Sequence, residues 1–170
     1  MVLRFEPLSD KHDLSTFDSG EHSLDHWLRR HAHANQTLGS SRTFVAVDQM
    51  TGVVVGYYSL TVGAVDSADS PATVVEGMPA QYPIPVVILA RLAVDQKHQR
   101  NHVGTALLGD AILRSLQVAE NVGVRALLVH TLNEKARQWY LGVAEFEPSP
   151  THERHLMLPI KDIEAADLLS

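Results

Sequence analysis

Arg91-Leu92-Ala93-Val94-Asp95-Gln96-Lys97-His98-Gln99-Arg100-Asn101-His102-Val103-Gly104-Thr105-Ala106-Leu107-Leu108 is the stretch on which the reading of this chain turns. It begins as the end of a nearly continuous apolar run, Val86–Val94, introduced by Pro83 and Pro85. Such runs are strands covered on both faces. A polar loop, Gln99–Gly104, follows. Val103, Leu107, Ala111, Leu113 and Val118 then recur at helical spacing, with Gly123 placed to end the helix. A strand that ends, a loop, and a helix that starts bring several backbone N–H groups and the positive end of a helix dipole to one point. An anionic group, most simply a pyrophosphate, fits there. Plain crossovers of the same shape occur in every α/β protein, so spacing alone leaves both readings open.

Working outward, Leu3–Pro7 reads as a first strand and Asp18-Ser19-Gly20 as a turn. Leu24, Trp27, Leu28, His31, Asn35 and Leu38 predict one helix with these residues on its apolar face, ended by Gly39. The opposite face carries His26, Arg29, Arg30 and His33. Thr43–Asp48 and Val53–Val62 read as strands joined by the hairpin turn Gln49-Met50-Thr51-Gly52. Asp66–Tyr82 reads as a long loop with room for a short helix. Val124–Thr131 is a further strand, and Asn133 can cap a helix running through Glu134, Ala136, Trp139 and Tyr140. Phe146 and Leu156–Leu158 read as closing strands, with Pro148 and Pro150 at the bend between them. The order predicts one α/β (α+β) domain over residues 1–160, with residues 161–170 as a tail.

Composition narrows the function. The 170 residues contain no cysteine, which excludes a disulfide framework, a thiolate metal site and a cysteine nucleophile. No apolar run reaches the length of a membrane span, and the N-terminus lacks a signal-peptide core, so a cytoplasmic protein is expected. The net charge of −6 is not the overall footprint of a nucleic-acid binder, though it allows a local basic patch. Ten histidines invite a metal site. His22 and His26 stand four apart, with His31 and His33 nearby, but no acidic third ligand has suitable spacing, and no metal is expected.

Gln99, His102 and Gly104 carry a resemblance. The loop resembles the acetyl-CoA loop of GCN5-related N-acetyltransferases, written Q/R-x-x-G-x-G/A, with Gln99 first, Gly104 last and His102 where the middle glycine stands. Phe17-Asp18-Ser19-Gly20, Leu24-Asp25-His26-Trp27-Leu28, Ser41-Arg42-Thr43-Phe44-Val45, Gly56-Tyr57-Tyr58, Ile84-Pro85-Val86, Arg91-Leu92-Ala93-Val94 and Trp139-Tyr140 ahead of Phe146-Glu147-Pro148 follow in order. Together they resemble the acetyltransferase toxins of bacterial toxin–antitoxin pairs. The resemblance covers about residues 1–158. It departs at Leu141–Glu145, where five residues stand in place of the usual three and a glycine, with Ala144 in the glycine's place.

The resemblance implies a mixed central sheet, flanked by helices and splayed at the cofactor strand. Acetyl-CoA would be held by Leu92, Ala93, Val94, Gln99, Arg100, Asn101, His102, Val103, Gly104 and Thr105, with Asn133 a candidate for the pantetheine arm as well as for a helix cap. Tyr140 matches the general acid: a phenol with a pKa of about 10 is protonated at neutral pH and can donate to a departing thiolate. No carboxylate stands out as a general base. A lysine amine would need one, whereas an α-amine near ~7.7–8.0 is already partly neutral. That fits the toxins' substrate class, aminoacyl-tRNA, with glycyl-tRNA the family's suggestion. Arg29, Arg30, His33 and Arg42 are candidates for tRNA phosphates. Arg91, inside an apolar strand, must find a partner or face a cleft; it is a further tRNA-binding candidate, for the acceptor end, or else a member of a structural ion pair. The resemblance further implies a ribbon-helix-helix antitoxin, a homodimer, translation inhibition, and operator DNA contacted only through the antitoxin complex. Two other readings stand beside this one: an acetyltransferase of a small-molecule or peptide amine, and a catalytically weak module acting with an antitoxin in repression.

Overall fold

The computed structural model describes residues 1–165. Its elements are strand β1 (Leu3–Pro7), helices α1 (His22–Arg30) and α2 (Ala32–Leu38), strands β2 (Arg42–Asp48) and β3 (Val54–Val65), the short helix α3 (Ala72–Val75), strand β4 (Ile84–Val94), helix α4 (Val103–Ala119), strand β5 (Ala126–His130), helix α5 (Glu134–Val143), strands β6 (Glu147–Pro148) and β7 (His155–Pro159), and helix α6 (Ile160–Ala165). The strands form one mixed sheet in the order β1-β2-β3-β4-β5-β7-β6. β4 and β5 are parallel, while β1–β2, β2–β3, β5–β7 and β6–β7 are antiparallel. Pro148 sits in the terminal strand β6, where the missing N–H breaks no inner ladder.

The described chain divides into two compact units, residues 1–61 with 90–111, and residues 62–89 with 112–165. The first has a core of Leu8, Phe17, Trp27, Leu28, Ala32, Val45, Val47, Val54, Tyr57 and Ala93. Gly56 lets α4 press closely on β3: a Cβ on it would stand 2.7 Å from Leu107 Cδ1 and 3.1 Å from the Ala93 carbonyl oxygen, so a larger residue would need those groups to shift. The second has a core of Val74, Ile84, Val86, Ala126, Leu128 and Met157. In it, the Arg125 guanidinium donates to the Val74 carbonyl at 2.9 and 3.0 Å, pinning the segment around α3.

The single helix expected over Leu24–Leu38 is two. His31, at φ −125° and ψ −27°, ends α1 and opens α2. Bonds continue on each side, from His31 N–H to the Trp27 carbonyl and from Asn35 N–H to the His31 carbonyl. Ala32, four residues after Leu28, is fully buried, while His31 and Leu38, placed on the apolar face by the spacing, are exposed. Gly39 does end α2, at φ 78°. α4 stops at Ala119, before Gly123, and Leu113 is exposed rather than buried. Tyr140 is the seventh residue of α5, in its second half rather than near its start. Phe146 precedes β6. Of the segment read as a tail, residues up to Ala165 belong to α6, with Ile163 buried. Residues 166–170 lie outside the described residues.

Candidate functional site

In the first unit, β4 delivers Leu92, Ala93 and Val94 to a polar turn, and α4 leaves it at Val103. Asp95 closes that turn: its buried carboxylate accepts from Lys97 N–H at 3.0 Å. The first helical bond of α4 runs from Ala106 N–H to the His102 carbonyl at 3.1 Å. The N–H groups of Val103, Gly104 and Thr105 therefore stand at the open, positive end of a seventeen-residue helix. Arg100 and His102 adopt φ of 67° and 63°, and they are the non-glycine residues with positive φ among the described residues. Left-handed backbone at ordinary residues costs about 1–2 kcal/mol each and favours glycine. Residues alternating in this way turn successive N–H groups toward one concavity that suits an anion. His102, where the resemblance has glycine, thus keeps the backbone conformation glycine would supply. Gln99, Arg100, Asn101 and His102 are exposed, and Val103 anchors the loop in the core. The Gln99 amide does not reach outward. It donates to the Ser19 and Val94 carbonyls, both at 3.0 Å. The geometry of this loop suits an anionic group, with Gln99 fixing its shape.

The candidate tRNA residues lie in the same unit on successive elements: Arg29 and Arg30 in the last turn of α1, His33 on α2, Arg42 at the start of β2. α2 packs on both α1 and β2, and Gln36 Oε1 accepts from Thr43 N–H, next to Arg42. Their engagement differs. Arg29 donates to the Phe17 carbonyl at 2.7 Å and lines a shallow polar depression with Ser15, Asp18, His22 and Gln96. His33 faces Asp10 at 3.3 Å. Arg30 and Arg42 are exposed. Arg91 has found its partner: its guanidinium lies 4.1 Å over the Trp27 ring, a cation–π contact, and Trp27 in turn stacks on Tyr57. Burial lowers the Arg91 pKa, yet a guanidinium stays charged. Arg91 is thus half-buried and committed to α1.

In the second unit, Tyr140 is 7% exposed, edge-on to Trp139 at 4.8 Å and to Phe146 at 5.6 Å. Burial pushes its phenol up from the usual value. Asn133 is taken as the helix cap, its Oδ1 accepting from Ala136 N–H at 2.8 Å. Ala144, at φ −155° and ψ 169°, leaves α5 in extended backbone, so the glycine expected there is not needed. Among the described residues no group of three His, Asp or Glu side chains is arranged to hold a metal ion; His22, His26 and His31 meet only ring to ring. No described helix is long and apolar enough to cross a membrane.

One feature escaped the sequence reading. Asp25 is 4% exposed, and its carboxylate accepts from Ser19 N–H at 3.1 Å and from Ser19 Oγ at 2.6 Å. The signal was present: Asp25 falls three residues before Leu28 on the buried face of α1, where a carboxylate needs partners.

The acetyltransferase (GNAT) family model matches residues 9–143. A tRNA-acetylating toxin of Mycobacterium tuberculosis (strain ATCC 25618 / H37Rv) is 48% identical over 158 residues, covering 93% of this chain and 92% of that protein. The structure of AtaT complexed with acetyl-methionyl-tRNAfMet superposes with a TM-score of 0.88 at 30% identity, over 97% of this chain and 99% of that one. A tyrosine-to-phenylalanine mutant of the AtaT toxin bound to the C-terminus of its antitoxin AtaR gives 0.83 at 29% identity, over 98% of both chains. With the family model matching most of the chain and a relative 48% identical over nearly all of it, the chain belongs to the GNAT acetyltransferase family.

Proposed function

We propose that this protein is a toxin that transfers the acetyl group of acetyl-CoA to the α-amine of aminoacyl-tRNA and so blocks translation. The observation that carries the reading is 48% identity, across nearly the whole of both chains, to a tRNA-acetylating toxin. A phosphate-binding loop that keeps its left-handed backbone despite His102 supports it and weighs against a catalytically inert module.

Acetyl-CoA supplies an activated thioester. The chain's residues then have three tasks. The N–H groups of Val103, Gly104 and Thr105 bind the pyrophosphate, and the end of β4 at Leu92–Val94 aligns the pantetheine arm. Arg30 and Arg42, with Arg29 and His33, meet tRNA phosphates. Tyr140 holds its proton at neutral pH, as any phenol does and the more so with its pKa raised by burial, and hands it to the sulfur as the C–S bond breaks. The amine nitrogen forms the new C–N bond, and the proton it sheds restores the phenol. An α-amine with a pKa of about 7.7–8.0 is neutral often enough to attack without a dedicated base. We place the protein in the cytoplasm, where charged tRNA is found, neutralised by a ribbon-helix-helix antitoxin, acting as a homodimer and reaching operator DNA only with that antitoxin.

The test is transfer of labelled acetyl from acetyl-CoA to total aminoacylated tRNA, with uncharged tRNA and Tyr140→Phe protein as controls. Label on charged tRNA alone, lost in the variant, is the expected result, and the labelled isoacceptor shows whether glycyl-tRNA is the target. No label with acetyl-CoA still bound would replace tRNA by a small or peptide amine.

A further inference from the structure

A left-handed backbone at two ordinary residues persists only where the surroundings over-determine it. In this chain those residues, Arg100 and His102, lie in the loop that receives the pyrophosphate. What holds them can be followed bond by bond. Gln99, the residue before Arg100, is clamped by its side-chain amide to the Ser19 carbonyl and to the Val94 carbonyl, at 3.0 Å each. Ser19 is itself immobilised. Its N–H is shared between both oxygens of Asp25 at 3.1 Å, its hydroxyl donates to Asp25 Oδ1 at 2.6 Å, and the hydroxyl oxygen accepts from Glu21 N–H at 3.2 Å. Ser19 and Asp25 are 7% and 4% exposed, so water does not compete for these bonds.

A second set of bonds sews the same turn to the same loop. Asp18 N–H donates to Asp95 Oδ2 at 3.1 Å, Gln96 N–H donates to the Asp18 carbonyl at 2.8 Å, and the Gln96 amide donates to Asp18 Oδ1 at 3.1 Å. Gly20, at φ 88°, packs against the Gln96 side chain, where a Cβ would approach to 3.2 Å. A buried carboxylate costs free energy that a neutral side chain would not. Asp25 places that carboxylate on α1, far along the sequence from the loop, and spends its acceptor capacity on Ser19.

We propose that Asp25 and Ser19 are positioning residues for acetyl-CoA: acting through Gln99, they hold Arg100 and His102 in left-handed backbone and so keep the loop N–H groups aimed at the pyrophosphate. The proposal rests on the reading of Gln99–Gly104 as the acetyl-CoA loop. It also explains how histidine can occupy a position at which glycine would be unstrained: the network enforces the conformation from outside.

The experiment compares wild type, Asp25→Asn, Ser19→Ala and Asp25→Asn/His102→Gly. It measures KM for acetyl-CoA, kcat at saturating acetyl-CoA, amide hydrogen exchange over residues 99–105, and thermal melting. Asp25→Asn is expected to raise KM for acetyl-CoA about tenfold by losing charge-assisted bonds, with kcat within about twofold. Loop amides should exchange about tenfold faster. Ser19→Ala keeps the Ser19 carbonyl and should act in the same direction, less strongly, and it carries the test if Asp25→Asn does not fold. His102→Gly in the Asp25→Asn background should recover most of the lost affinity, because glycine takes the left-handed backbone without help. A folded Asp25→Asn protein with unchanged KM and unchanged loop exchange overturns the proposal. So does a raised KM that glycine fails to rescue, which would leave Asp25 a support of α1 alone. Wild-type protein that binds no acetyl-CoA would instead overturn the reading of the loop, and the exchange comparison would still decide whether Asp25 holds its shape.

Discussion

The loop Gln99–Gly104 and the side chain of Tyr140 are built by opposite means. The loop is exposed at Gln99, Arg100, Asn101 and His102 and is fixed by backbone angles and hydrogen bonds. Tyr140 is buried and is fixed by the rings of Trp139 and Phe146. The difference follows from the task proposed for each. A pyrophosphate is bound by main-chain N–H groups, which every residue but proline possesses, so side-chain identity can drift while the backbone angle is kept. Proton delivery needs one hydroxyl at one place, so identity cannot drift. His102 in place of glycine and Ala144 in place of glycine illustrate the first kind of tolerance, each for its own backbone reason: φ is retained at His102, and extended backbone removes the need at Ala144.

The largest test of this contrast is Tyr140→Phe. Both rings still meet the phenylalanine, so melting and acetyl-CoA affinity should stay close to wild type, while turnover falls by ~10²–10⁴, the usual worth of a general acid. Isothermal titration with acetyl-CoA beside single-turnover transfer separates the two. Turnover within a few-fold of wild type would remove Tyr140 from the chemistry and leave it a packing residue. The next effect belongs to the basic residues. Arg30→Glu should weaken tRNA use, and the slope of log K against log salt should shrink by about one, the contribution of one phosphate contact. Arg29→Glu should do this and lower the melting temperature as well, because Arg29 also donates to the Phe17 carbonyl. Equal salt slopes in wild type and Arg30→Glu would make that face a solvated surface.

The sequence disclosed those parts of the molecule that apolar periodicity and turn residues mark. The β4–loop–α4 crossover, the hairpin at Gly52 and the Asn133 cap all follow from such signals. It concealed what depends on backbone angle or on distant pairing. Nothing in the letter of Arg100 announces positive φ, and at His102 the signal is only the modest enrichment of histidine in that region. The break at His31 was hidden because Trp27, Leu28 and Ala32 satisfy a helical phase on both sides of it. Arg91 could be recognised as needing a partner, but not that the partner was Trp27, sixty-four positions earlier in the chain. The Ser19–Gln99 contact spans eighty positions and was invisible for the same reason.

A smaller effect sharpens the contrast from the Tyr140 side. Asn133→Ala removes the acceptor for Ala136 N–H at the start of α5. A lost N-cap costs about 1 kcal/mol, which in a domain of this size lowers the melting temperature by roughly 2–4 °C. Because the hydroxyl of Tyr140 sits on that helix, kcat should fall by a small factor while KM for acetyl-CoA holds. A change confined to KM would instead indicate that Asn133 touches the pantetheine arm, and calorimetry with acetyl-CoA would register it directly.

Acid separates the two units in a further way. In the second, His130 stacks on His155 at 4.1 Å, and His155 on His152 at 4.6 Å, at the ends of β5 and β7. Burial, and then the neighbouring imidazoles, lower the pKa of His130 and His155 below the ordinary 6.5. The folded pair His130 and His155 therefore resists protons that the unfolded chain accepts. Its stability is complete above pH 6.5 and declines as the pH falls from there through the lowered values. In the first unit, Glu6 is held at a pKa of about 2 against an ordinary 4.5, chiefly by its bond to His12 at 2.6 Å, with Arg4 and Lys11 adding to it. That contribution is complete above pH 4.5 and is lost between about 4.5 and about 2. The ends of β5 and β7 should thus loosen at a pH where β1 is still intact. Amide exchange, corrected for intrinsic rate, should rise at Thr131, which donates to the Arg154 carbonyl, on going from pH 7 to about 5.5, and stay level across residues 4–6. Parallel loosening of both segments over that interval would mean the stack does not govern the strand ends, and His155→Phe, which keeps a ring there and cannot be protonated, would then leave the profile unchanged.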